Sequence, residues 1–146
     1  MMEQALKKLQ FKGQSPALVM NAPSELAGMI RGADASIKGT YAFILAFVPD
    51  KSALERIIKD VVRAADAKGY LWICYPKGTS KKYTSDVNRD KLRELLGRWE
   101  LEAVTLVSID DDWSALRFRR VEEIKTMKRA SASSSKGRER IKRNPA

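Results

Sequence analysis

The amino-acid sequence predicts a single α/β domain whose sheet is mostly parallel and ends in an antiparallel pair. Three observations lead there. Tyr41 to Asp50 and Gly69 to Pro76 are apolar runs of strand composition. Between them Leu54, Ile57, Ile58, Val61, Val62 and Ala65 recur at helical spacing and form one continuous apolar stripe. A strand, a crossover helix and a second strand make a βαβ unit, which implies parallel pairing buried on both faces. The third observation lies further on. Val104 to Ile109 is β-branched, and Trp113 to Arg120 alternates Leu116 and Phe118 with Arg117 and Arg119. The turn Asp110-Asp111-Asp112 joins them, so they read as an antiparallel pair.

The remaining elements follow in order. Glu3 to Leu9 predicts a short helix with Ala5, Leu6 and Leu9 on one side, broken at Ser15-Pro16. Ala17 to Met20 is the first strand, ending at Asn21-Ala22-Pro23. Ser24 is an N-cap for a brief helix through Leu26, Met29 and Ile30, closed by Gly32. Ile37 marks a short, weak strand. For the central helix, Asp50 or Ser52 caps the start, Ser52 with Glu55 fits a capping box, and Gly69 follows the end as a left-handed cap. A polar, basic loop runs from Lys77 to Ser85. Asp86 or Asn88 caps a last helix with Leu92, Leu95, Leu96 and Trp99 on its stripe.

Composition narrows the chemistry. The 146 residues contain no histidine and one cysteine, Cys74. The commonest general base and metal ligand are therefore absent, and a zinc site from one cysteine is not credible. No catalytic residue and no metal ligand is assigned. A lone thiol forbids an internal disulfide and fits a reducing cytoplasm. No run is long enough to span a membrane, and no secretory-type leader is expected at Met1. The formal charge is +10. From Lys125 to Ala146 eight basic residues face one acid, Glu139, for +7, which leaves residues 1–124 at +3. The expected organisation is thus an α/β domain over 1–124 and a disordered basic tail over 125–146, since that segment cannot bury enough apolar surface to fold.

The order of elements resembles a shortened class I methyltransferase-like Rossmann fold, a three-layer Rossmann-like domain. More specifically, the chain is similar to a family of short bacterial proteins classed as a domain of unknown function. The likeness covers roughly Leu6 to Val121. Its residues are Gly69 to Lys77, Thr84-Ser85-Asp86-Val87-Asn88, and Asp112 to Phe118. The resemblance implies a fold and a bacterial, intracellular setting, and it lends no catalytic residues. The sequence departs from a working methyltransferase at the turn after the first strand, Asn21-Ala22-Pro23-Ser24-Glu25, which lacks glycine. It also departs near Ile37-Lys38-Gly39, where no acid is present to hold a ribose, and a helix pair is missing between Gly39 and Tyr41. No cofactor is expected; S-adenosylmethionine is disfavoured.

Ligands of open α/β sheets sit beyond the carboxyl ends of the strands, where strand order reverses. Asn21, Asp50 and Lys77 fall on that edge and offer an amide, a carboxylate and a cation; as plain structure, Asn21 makes a turn and Asp50 caps a helix. Lys77, Lys81 and Lys82 beside Gly78, Ser80 and Thr84 suit a phosphate, though the spacing is not that of a P-loop; a solvated loop is the alternative. Asp110 to Asp112 reads as a charged turn rather than a metal site, and Cys74 as a small core hydrophobe. Trp72, Trp99 and Trp113 read as packing, with Trp113 the one to consider for partner contact. Lys125, Lys128, Arg129, Lys136, Arg138, Arg140, Lys142 and Arg143 form the polyanion-binding candidate, acting by counterion release without sequence specificity. The function expected is a non-catalytic binding or scaffold module. The alternative is a divergent S-adenosylmethionine-dependent or nucleotide-ligand transferase working at the sheet edge. Oligomeric state is not legible.

Overall fold

The computed structural model of the chain describes residues 2–123. The elements are α1 (Met2–Lys8), β1 (Ala17–Met20), β2 (Tyr41–Phe47), α2 (Lys51–Ala64), β3 (Ala65–Pro76), α3 (Arg89–Gly97), β4 (Leu101–Ser108) and β5 (Trp113–Arg120). They build one five-stranded sheet in the order β1-β2-β3-β5-β4. The first three strands pair in parallel, and β5 runs antiparallel to both β3 and β4. This is the Rossmann-like α/β architecture expected, with its antiparallel end. The tail expected over 125–146 lies outside the described residues.

The apolar runs are strands because both faces of the sheet are covered. On one face Ile44, Ala46, Leu71, Ile73, Leu116 and Phe118 pack with Leu54 and Val61 of α2 and Leu92, Leu95 and Leu96 of α3. Full burial of a side chain such as Leu54 contributes about 2 kcal/mol. On the other face Phe43, Leu45, Phe47, Trp72, Cys74 and Trp113 pack with Leu9, Leu26, Met29 and Ile30. This second layer is thin: the seven-residue α1 and a stretch with a single 3-10 turn, Ser24–Leu26. The Trp72 indole N–H donates to the Leu9 carbonyl at 3.1 Å and fixes the end of α1 on the sheet.

Several local expectations are corrected. The segment after Ser24 is a 3-10 turn and not a helix; Pro23 occupies the cap position and Ala27 is already extended. The weak strand is not at Ile37. A single parallel bridge pairs Asp34 with Leu18 instead. The stripe of α2 ends at Ala64, because Ala65 pairs with Tyr41 and enters β3 directly. Gly69 is therefore no helix cap. It lies within β3, in an irregular stretch where Tyr41 pairs with Ala65 but Phe43 pairs with Tyr70. A Cβ at Gly69 would stand 2.8 Å from the Ala42 carbonyl oxygen, so close backbone approach demands the glycine. Asp50 caps α2 by accepting from the Ala53 N–H at 2.8 Å, while the Ser52 hydroxyl accepts from Arg56 at 3.0 Å. Asn88 caps α3. Trp99 falls beyond α3 and is 37% exposed, whereas Trp113 is 2% exposed and packed among aromatic rings, which removes it as a contact surface.

Candidate functional site

The carboxyl ends of β1, β2 and β3 lie side by side, which places Asn21, Asp50 and Lys77 along one edge. Strand order reverses here as well. Leu18 pairs with Ile44 of β2 on one flank, so its bridge to Asp34 occupies the other flank. The chain leaves β1, passes Asp34 on the outer side and crosses back to β2. The crevice beside β1 is thus the topological counterpart of a Rossmann ligand site.

The turn after β1, Asn21 to Glu25, carries no glycine. Asn21 takes the left-handed conformation, φ 59°, that asparagine tolerates in tight turns. Pro23 follows and supplies no N–H. Leu26, Met29 and Ile30 are buried against the sheet. Asp34, the acid at the bridge, accepts from the Tyr41 hydroxyl at 2.6 Å, and that hydroxyl also accepts from the Lys38 N–H at 3.0 Å. The Asp34 hydrogen bond, reinforced by burial, raises the Tyr41 phenol above its ordinary value. Asp34 is therefore committed at the start of β2, at the sheet's opposite edge.

The loop from Lys77 to Asp86 lies across the carboxyl edge as a strap. The Lys77 N–H donates to the Asp112 carbonyl at 2.8 Å, and the Ser80 hydroxyl donates to the Asp112 carboxylate at 2.8 Å. The Ser80 oxygen in turn accepts from the N–H groups of Lys82 and Tyr83, both at 3.1 Å. The Tyr83 ring meets Trp113 edge-on at 5.0 Å. Lys82 pairs with Glu25, just after β1, at 3.2 Å. Asp86 accepts from the Lys51 N–H at 2.8 Å, at the start of α2. The strap thereby ties β3 to the β4–β5 turn, to the segment after β1 and to the helix after β2. Two carboxylates, Asp50 and Asp86, meet the N-terminus of α2 and occupy the place an anion would take.

The candidate side chains share an edge but diverge. Asp50 turns into its own helix, Lys77 reaches Ser108 on β4 with Nζ to Oγ 2.5 Å, and Lys82 turns to Glu25. Lys81 is exposed. The Glu25 carboxyl is held below its ordinary value by a hydrogen bond from its own backbone and by Lys82, and Lys82 is held above its own by Glu25. Beside the strap lies a groove of about 460 Å³ whose charged wall is Glu25 with Asp110, Asp111 and Asp112, relieved by Lys8. Asp110 accepts from the N–H groups of Asp112 and Trp113 at 2.8 Å each, the turn role expected of it. Burial raises the Cys74 thiol far above its usual range, in keeping with a core residue. The eight basic tail residues lie outside the described residues. No helix among the described residues is long and apolar enough to cross a membrane.

Sequence reading missed the roles of Glu25, Ser80 and Asp86 in the strap. Ser80 carried a signal: a serine followed by residues whose N–H groups can fold back on its hydroxyl. The contacts of Glu25 and Asp86 are long-range and carry no local signal.

No family model and no curated protein matches the chain. Among solved structures the fold is similar to ribosomal protein L11 methylase from Lactobacillus delbrueckii subsp. bulgaricus, with a TM-score of 0.51 and 11% identity, over 82% of this chain and 76% of that one. A second similar structure is LepI in complex with SAM, with a TM-score of 0.48 and 15% identity, over 82% of this chain and 39% of that one. The sheet is methyltransferase-like.

Proposed function

We propose that this methyltransferase-like sheet serves as a non-catalytic binding module of the bacterial cytoplasm, with polyanion affinity carried by the basic segment Lys125 to Ala146. The observation that supports it most is the strap. The carboxyl edge is crossed by a loop anchored at Asp112, Glu25 and Lys51, and its helix N-terminus already holds two carboxylates. The acidic groove next to it repels phosphate-rich partners, which leaves the eight Lys and Arg of the tail to engage them.

Two titrations of the full chain test this reading. The first follows backbone amides with S-adenosylhomocysteine at roughly millimolar concentration. The expected result is no saturating shift at Asn21 or Asp50. Saturating shifts there would restore the alternative, a divergent transferase using Asn21, Asp50 and Lys77. The second measures binding to a single-stranded nucleic acid against salt. A tail that neutralises about five phosphates gives a log–log slope of about −3.5. Replacing its eight basic residues by glutamine should abolish the binding. Unchanged affinity and slope would remove the tail from the function.

A further inference from the structure

The groove beside the strap lies between α1, the turn after β1 and the β4–β5 turn. Its volume of about 460 Å³ falls within the roughly 300–1,000 Å³ of ligand clefts. Ala5 and Leu26, both almost fully buried, and Ile109 supply its apolar lining. Four carboxylates, Glu25, Asp110, Asp111 and Asp112, stand there against one ammonium, Lys8. Three of them are held in place: Glu25 by Lys82, Asp110 by the N–H groups of its own turn, and Asp112 by the Ser80 hydroxyl. Each keeps acceptor capacity, because a carboxylate accepts at about four sites. Asp111 is exposed, and its carboxylate meets no partner among the described residues. An apolar lining under a negative wall suits a cationic segment that carries one apolar side chain.

The same chain contains such a segment. From Lys128 to Ala146 the only large apolar side chain is Ile141, and Arg138, Arg140, Lys142 and Arg143 flank it with a single acid, Glu139. Length allows it to reach the groove. Register sets Trp113 beside Pro76 at the carboxyl edge, so β5 runs from the groove toward the opposite edge, and its eight residues span roughly 26 Å. The described residues end at Glu123, just past β5. Eighteen residues separate Glu123 from Ile141, and a chain of that length reaches up to about 60 Å. We infer that the groove is the docking site of Arg138 to Arg143 of the same chain, with Ile141 against Ala5, Leu26 and Ile109 and the cations on the carboxylate wall. The tether supplies an effective concentration of about millimolar, so a weak contact is enough. The regulatory consequence rests on the polyanion reading above: a docked segment is withheld from phosphate-rich partners, which must displace it. A tail docked about two thirds of the time binds them about threefold more weakly than a free one.

The test uses the full chain with Ala146→Cys carrying a nitroxide; Cys74 is buried, which confines the label to position 146. At low ionic strength the amides of Lys8, Ile109 and Asp111 should be broadened. Ile141→Ser keeps every charge, and Asp111→Asn alters an exposed side chain, so each should leave the fold intact and cut the broadening by about half or more. Absence of broadening at the groove, or broadening unchanged by both variants, would overturn the docking. Broadening of an isotope-labelled chain by an added nitroxide-labelled one would assign the groove to the tail of a second copy and likewise overturn the tethered contact. Binding of the unlabelled chain to a single-stranded nucleic acid then separates docking from its consequence. Ile141→Ser should bind about threefold more tightly than the parent, with the same salt slope, an increase that unfolding of the domain does not predict. Equal affinities would refute the withholding of the tail. A parent chain that shows the broadening and binds no nucleic acid would remove the polyanion reading and leave the docking supported.

Discussion

Asp86 joins the strap to the helix after β2, and its removal has a calculable cost. Asp86→Ala deletes the acceptor that meets the Lys51 N–H at 2.8 Å. Loss of such a bond at a helix start costs about 1 kcal/mol. Loss of a negative charge beside the first turn costs about 0.5 kcal/mol more. The total of about 1.5 kcal/mol is an upper bound, because Asp50 still caps the helix and water can reach the freed N–H. With a urea m-value of about 2 kcal/mol/M, the unfolding midpoint falls by about 0.7 M. Asp86→Asn keeps an oxygen acceptor and loses only the charge, so its midpoint falls by about 0.25 M. Ser52→Ala, at the position a capping box would use, should stay within about 0.5 kcal/mol of the parent. Equilibrium unfolding in urea separates the three. An Asp86→Ala midpoint indistinguishable from the parent would refute the anchor, and equal shifts for Asp86→Ala and Asp86→Asn would refute the hydrogen bond as its main component.

Other expectations follow from the same structure. Gly69→Ala brings a methyl against a backbone oxygen that cannot step aside, and should cost about 1–3 kcal/mol despite the favourable effect of alanine on the unfolded chain; stability at or above the parent would show that β3 relaxes there. The Glu25–Lys82 anchor should depend on pH with two limits. The folded Glu25 value lies below its unfolded one, so its contribution is present above the ordinary carboxylate range and is lost as pH falls through the folded value. The folded Lys82 value lies above its unfolded one, so its contribution is present below the ordinary lysine range and is lost as pH rises through the raised value. Side-chain NMR should show Lys82 returning to its ordinary titration in Glu25→Gln, and an unchanged Lys82 curve would rule out the pairing.

The parts legible in the sequence were those set by local periodicity and burial. The stripe from Leu54 to Val61, the continuous apolar run of β3 and the alternation of β5 each report which face is dry, so the βαβ unit and the antiparallel end could be read directly. Element ends were less legible. Ala65 carries the helical pattern one step further, yet its pairing with Tyr41 draws it into the strand; tertiary pairing outweighs propensity at such a boundary. Gly69 looked like a cap because a glycine after a helix usually is one, and only the proximity of Ala42 shows its real constraint. The site divided in the same way. Its edge was legible, since strand ends place Asn21, Asp50 and Lys77 together. The turn of Asp50 into its own helix was legible as a cap, but the contacts of the lysines and of the strap were not, because each is set by a partner distant in sequence: Lys77 by Ser108, Lys82 by Glu25, and the N-terminus of α2 by Asp86.

By itself, then, the amino-acid order determined the fold class, the lack of histidine chemistry and the uneven charge, all of which follow from composition and short-range pattern. Tertiary structure alone decided that a loop straps the carboxyl edge and that Lys77 turns to Ser108. Those contacts join residues tens of positions apart through register and crossover, and no window of sequence short enough to show a period contains both partners.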